Sequence, residues 1–201
     1  DFAEWKHRLH IHGLDLRHPP SVEIFARYVE HSFPRLDIIV NNACQTVRRP
    51  PDFYRHMMDR ETAALDTLDT AILRLVGAYE GLRGYHLLPG SDGDALAVGA
   101  PDVVGSALPL AGLTQAAALS QTPLLPDELH AQADLFPAGR LDQDLQQVDL
   151  RNRNSWRLLL HEVSSVELLE VHLVNAVAPF IFNARLKPLL LAAPGRDKHI
   201  V

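Results

Sequence analysis

From Arg8 to Leu16 the chain alternates Leu9, Ile11 and Gly13 with His10, His12 and Leu14, a period of two that predicts a strand ending at Asp15. Pro19-Pro20-Ser21 then offers a helix start, and Val22, Phe25, Val29 and Phe33 recur at helical spacing until Pro34 stops them. The apolar run Leu36-Asp37-Ile38-Ile39-Val40 reads as a buried parallel strand that empties into Asn41-Asn42-Ala43-Cys44. A strand-helix-strand unit is therefore expected over roughly 8–40. Crossovers of this kind are right-handed, so the two strands should lie parallel, with Asp15 and Asn41 on the sheet edge where α/β proteins bind ligands.

Arg48-Arg49-Pro50-Pro51 predicts a stiff basic exit closed to helices. From Asp59 to about Arg83, Leu65, Leu68, Ile72, Leu75, Val76 and Tyr79 fall on one stripe, with Asp59 and Glu61 in the first turn, which predicts an amphipathic helix. Residues 84 to about 140 carry Gly90-Ser91-Asp92-Gly93, Pro101, Pro109, Pro123 and Pro126 and read as loop. So long a loop is expected only as a lid or insertion over a site. Order returns in an apolar helix over about 164–191, whose buried stripe is read as Val166, Leu169, Leu173, Ala176, Phe180 and Leu190, with a kink near Pro179. Gly195 turns the chain into a third strand beginning at Lys198.

With 201 residues and 47% hydrophobic content the chain can bury one sizeable core. The net charge of −6 argues against nucleic acid as a partner and favours small-molecule chemistry. A single cysteine, Cys44, makes no internal disulfide, and no stretch of about 18 apolar residues is read as a membrane span, so a cytoplasmic protein without a membrane partner is expected. The chain opens without a Met and stops in what reads as mid-strand at Val201, so it is expected to be a piece cut at both ends.

Asn41-Asn42-Ala43-Cys44 after a β-branched run, Leu14-Asp15-Leu16 upstream and Asn175 downstream together resemble the short-chain dehydrogenase/reductase family over about 8–47 and 160–201. The resemblance implies an α/β fold, an incomplete Rossmann-like doubly wound parallel sheet with a long partly helical insertion. Residues 1–47 and 160–201 would form the cofactor-binding core and 48–159 the insertion. The first strand would lie at the sheet edge, with absent N-terminal strands between it and the second. The implied cofactor is NAD or NADP, and the implied reaction is hydride transfer to or from a small carbonyl or alcohol substrate. Asn41, Asn42, Ala43 and Cys44 would pack against the adenosine ribose, Cys44 standing where the family has glycine. Asp15 would accept a hydrogen bond from the adenine amino group, with the backbone beside it at Leu16 fixing the ring. Asn175 would be the catalytic helix asparagine, whose backbone carbonyl holds a water in a proton relay.

The family's glycine-rich loop and Tyr-x-x-x-Lys are not found. Tyr54, Tyr79 and Tyr85 lack a lysine four residues on, so this chain alone is expected to be inactive. A homo-oligomer through the helix at 164–191 is the expected assembly. His10 and His12 read as packed or surface residues rather than metal ligands, Cys44 with His56 lacks an orienting acid, and Arg48 with Arg49 reads as a solvated basic turn, with contact to an acidic substrate as the alternative. No Gly-x-Ser-x-Gly elbow supports a hydrolase. The alternative is a non-catalytic Rossmann-like binding or scaffold protein whose insertion serves a partner.

Overall fold

The computed structural model describes residues 2–62, 70, 72, 75, 116–130, 132–153 and 155–201. Proline lacks the N–H that the first turn of a helix leaves unused, and Pro19 and Pro20 open a helix over Pro19–Ser32. His18 caps it, its ring nitrogen Nδ1 accepting from the Ser21 amide at 3.2 Å. The helix buries Val22 and Ala26 completely. Val22 meets Ala178 and Ile181 of a second helix, Ala178–Arg185, and Ala26 meets Leu186 and Leu189 just beyond it. Small side chains at 26 and 178 let the two backbones approach closely, and these contacts form the core.

Strand β1, Ile38–Ile39, pairs in parallel with β2, His199–Ile200, Ile38 opposite His199 and Ile39 opposite Ile200. Asp37, Ile39 and Asn41 direct their backbone groups to β2: the His199 amide donates to the Asp37 carbonyl, Val201 to Ile39, and Asn41 to Val201 at 2.7 Å. In a parallel ladder the alternate residues, Ile38 and Val40, then face the other edge, which has no strand among the described residues. The architecture is mixed and mainly helical, α/β through this small parallel sheet.

The strand expected over 8–16 does not form. Phe2–Trp5 is a short helix, Lys6–Arg8 a 3₁₀ turn, and 9–15 runs without a strand partner among the described residues. Alternation sets which side chains face inward, but a strand exists only when a neighbour completes its hydrogen bonds, and here the Ile11 amide bonds to the carbonyl of Leu75 instead. Side chains hold the segment: His10 stands edge-on to Phe33, His12 packs on Phe25 and Tyr28, and Leu14 and Leu16 join the Val22 cluster.

The long apolar helix is present as Ser165–His172, a π-helical turn Leu173–Val177, Ala178–Arg185, and after a bend Lys187–Ala192. The departure from α geometry falls just before Pro179, as the missing N–H requires. Its buried face matches the expected stripe at Leu190 but departs from it before that. Leu169 and Phe180 are 62% and 71% exposed, whereas Glu167, Glu170, Val174, Ala178 and Ile181 are buried. Periodicity places charge outside by default, and here two glutamates go inside because arginines and a serine meet them there.

Three further expectations change. Pro51 does not exclude a helix but starts one, Pro51–Tyr54, because proline suits the first position. Ser165–Arg185 is a 21-residue helical run long and apolar enough to cross a bilayer by length and composition, contrary to the reading that no such stretch exists. Of the helix expected over 59–83, Met58–Glu61 is helical, Leu75 is buried and Ile72, expected on the same buried stripe, is 46% exposed, while Leu65, Leu68, Val76 and Tyr79 lie outside the described residues. In the stretch expected as loop, 84–115 also lies outside them. Ala116–Ser120 is a short helix, and Pro126–Leu129 and Ala133–Leu135 are 3₁₀ turns.

His12 gives the segment 9–15 a pH dependence. Burial, and then the neighbouring His10, hold its imidazole below the ordinary histidine range, and its buried Nδ1 has no hydrogen-bond partner among the described residues. The unfolded chain thus binds the proton more readily than the folded one, so stability is full above the ordinary value of about 6.5 and falls as pH drops toward the lowered one. Urea midpoints measured from about pH 7 to about pH 5 should fall more steeply for the parent than for His12→Phe. Parallel curves would dismiss this role for His12.

Candidate active site edge

The C-terminal end of β1 sets the position of Asn41. Its side-chain amide donates to the Val201 carbonyl at 3.3 Å and to Asn183 Oδ1 at 3.4 Å, tying the strand end to β2 and to the Ala178–Arg185 helix. Asn42, Ala43 and Cys44 follow with little cover, and Cys44 is an exposed free thiol. Asn41, Asn42 and Ala43 border an apolar hollow of about 300 Å³ walled by Phe25, Val40 and Phe182.

Asn175 is the residue that locks this edge. Its Oδ1 accepts from the Gln45 amide at 2.8 Å and its Nδ2 donates to the Gln45 carbonyl at 2.7 Å, so one side chain satisfies both backbone groups where the strand end turns away. Asn175 lies within the π-helical turn, where the Ala178 amide reaches back to the Leu173 carbonyl. Four residues on stands Pro179, which has no N–H to give to the Asn175 carbonyl.

Asp15 borders a second hollow, of about 270 Å³, shared with Arg17, Gln45, Arg49, Tyr54 and Glu170. Leu16 lines both hollows, so Asp15 and Asn41 stand on either side of it rather than in one cleft. The Asp15 carboxylate is fully occupied. Oδ1 accepts from the Arg17 amide at 2.9 Å and from Nε at 3.0 Å, and Oδ2 from Nε at 3.2 Å and Nη2 at 2.7 Å, four contacts for about four lone-pair sites. The same bonds hold the Arg17 guanidinium above its ordinary pKa.

A buried ionic chain continues from there. Arg17 Nη1 donates to Glu170 Oε1 at 3.1 Å, and Glu170 Oε2 lies 3.1 Å from Arg48 Nε in a charge contact off the hydrogen-bond line. Arg48 in turn holds Glu128, Nη2 donating to Oε2 at 3.0 Å. Glu128 Oε2 also accepts from the Leu124 and Leu125 amides, and Glu167 accepts from the Arg48 amide and the Ser155 hydroxyl. Arg48, read from sequence as a solvated turn, is 5% exposed, because its charge is matched within the chain. Arg49 is half-buried, donates to Asp149 at 2.6 Å, and lies over the Phe53 ring. Burial raises the Asp149 carboxyl pKa, yet the bonds from Arg151 and the charge of Arg49 win and hold it below the ordinary range.

Four guanidiniums, those of Arg17, Arg48, Arg49 and Arg151, thus pair with four carboxylates, those of Asp15, Glu128, Asp149 and Glu170, while Glu167 is held by the Arg48 backbone amide and the Ser155 hydroxyl. Among the described residues the region carries no surplus positive charge for an anion. Tyr54 stands among Arg17, Arg49, Arg48 and Glu170, and burial pushes its phenol pKa up, so it is a neutral donor and acceptor. Among the described residues no group of three His, Cys, Asp or Glu side chains is placed to hold a metal.

Arg17, Gln45, Glu128 and Glu170 are site residues that sequence reasoning does not single out, and Tyr54 enters it only as a tyrosine without a lysine four residues on. One signal was available: Glu167 and Glu170, three residues apart in an otherwise apolar helix, share a face that should have been asked for cations. No family model, curated protein or solved structure matches the chain.

Proposed function

We propose that this chain is the nucleotide-edge part of an NAD- or NADP-dependent oxidoreductase of the short-chain dehydrogenase/reductase kind, built on a Rossmann-like sheet and acting on a small carbonyl or alcohol substrate. The observation that carries the reading is the Asn175 clamp. An asparagine in a π turn grips both backbone groups of Gln45, directly after Asn41-Asn42-Ala43-Cys44, while Pro179 withholds a donor from the Asn175 carbonyl. The missing donor at the i+4 position suits a carbonyl that holds a water, the role the resemblance gives to Asn175. The tyrosine and lysine that would move the proton are not among these 201 residues, so in this reading the chain does not turn over by itself. The exposed apolar face of Leu168, Leu169 and Phe180 is where a second copy would pack.

Titration of the isotope-labelled chain with ADP-ribose, followed by amide NMR, tests the reading. Shifts are expected at Leu16 and at 41–45. In Asn175→Ala, which loses two hydrogen bonds worth about 1 kcal/mol each, the shifts at 43–45 should weaken and stability should drop by about 1–2 kcal/mol. Absence of any shift, or shifts confined to other parts of the chain, would overturn the assignment.

A further inference from the structure

We infer that the insertion forms part of the ligand site, with Tyr54 as its specificity-determining contact to a neutral, planar heterocycle of the purine kind bound in the hollow beside Asp15. This deepens the proposed function and rests on it. The hollow is built from two parts of the chain. Leu14, Leu16 and Val174 supply an apolar wall from the core, while Arg49, Tyr54 and Ser120 come from residues 48–159. At about 270 Å³ it is near the lower limit for small-molecule pockets, the size of one ring system and its immediate substituents rather than of a dinucleotide.

The chemistry of the lining selects the class. Each cation at the hollow is already engaged: Arg17 by Asp15 and Glu170, Arg49 by Asp149. A phosphate or carboxylate would have to displace a carboxylate of the chain itself, and so is disfavoured. Asp15 has no remaining acceptor site, since Arg17 takes all of them. The polar groups left for a ligand are the Tyr54 hydroxyl and the Gln45 side-chain carbonyl, neither of which has a hydrogen-bond partner among the described residues. A phenol that stays protonated can both donate and accept, which suits the alternating edge of a heteroaromatic ring. The Arg49 guanidinium, fixed by Asp149 and stacked at 4.9 Å over Phe53, offers a flat cation beside that ring. Recognition therefore passes from the strand-end acid to the insertion.

Amide NMR titrations of the full chain with adenosine, with inorganic phosphate and with ADP-ribose test this, for the parent and for Tyr54→Phe. Adenosine should shift Leu16, Gln45, Tyr54 and Val174, and phosphate should leave Arg17 and Arg49 unmoved. Tyr54→Phe keeps the ring and loses only the hydroxyl, so it should retain the parent's spectrum without ligand and weaken adenosine and ADP-ribose about fivefold to tenfold. Unchanged affinity in Tyr54→Phe, with ADP-ribose still shifting Leu16 and 41–45, would overturn the role of the insertion and leave the oxidoreductase reading standing. Phosphate shifts at Arg17 and Arg49 without adenosine shifts would overturn the ligand class. Loss of all ligand shifts in the parent would remove both proposals together.

Discussion

Replacing Arg48 by alanine is expected to remove about 3–5 kcal/mol of stability, the range for breaking a buried pair from one side. The side chains of Arg48, Glu128 and Glu170 are 4%, 4% and 6% exposed, so the two carboxylates have almost no water to fall back on. Glu170 keeps Arg17, and Glu128 keeps the Leu124 and Leu125 amides, which points to the lower half of that range. Urea unfolding at neutral pH measures the loss. The informative companion is Arg48→Met with Glu128→Leu, which removes both charges while preserving volume and is expected to recover much of the loss, short of the parent by what Glu170 and the Leu124 and Leu125 amides forfeit. The two single changes and the double should be non-additive, because each single change leaves one member of the Arg48–Glu128 pair without the other and the double does not. A loss below about 1 kcal/mol for Arg48→Ala would mean that the pair behaves like an exposed one.

Ile181→Ala is expected to cost about 2–5 kcal/mol, whereas Phe180→Ala, one residue away, should cost less than about 1 kcal/mol. Ile181 is 7% exposed and packs with Val22 and Ala178 beneath Leu14 and Leu16, while Phe180 is 71% exposed. The cavity left at 181 opens in the cluster against which Leu16 packs, the side chain shared by the two hollows, so the ADP-ribose shifts at Leu16 should weaken as well. Urea unfolding at low protein concentration separates this packing effect from any contribution of association to Phe180. The reverse order of costs would restore the burial stripe read from sequence, with Leu169 and Phe180 inside.

That reversal locates the limit of the sequence reading. Local signals served well where the cause was local. The prolines at 19, 20 and 34 bounded a helix, Pro179 disturbed another, and Ile38-Ile39 and His199-Ile200 were legible as strands because β-branched and apolar runs end at turn residues. The phase of the long helix was not legible from its own residues. Glu170 is buried because of the Arg17 and Arg48 guanidiniums and Glu167 because of the Arg48 amide and the Ser155 hydroxyl, and periodicity has no knowledge of a carboxylate satisfied from outside its own helix. For the same reason Arg48 read as solvated. The segment 8–16 had the right alternation but no partner strand, and alternation alone cannot distinguish a strand from an extended chain held by its side chains. Of the candidate site, Asn41 to Cys44 and Asn175 could be named from sequence. The Asn175 grip on Gln45, the occupation of Asp15 by Arg17 and the presence of Tyr54 needed coordinates.

The open side of β1 has a practical consequence. Ile38 and Val40 are 53% and 62% exposed, and their amides and carbonyls point away from β2. Such a margin is a template on which any extended, greasy peptide can build a ladder, including the same strand of a neighbouring molecule. Concentrated samples should therefore thicken into ordered stacks unless that border is covered, and a single lysine at position 38 or 40 is the gatekeeper most suited to keeping them in solution.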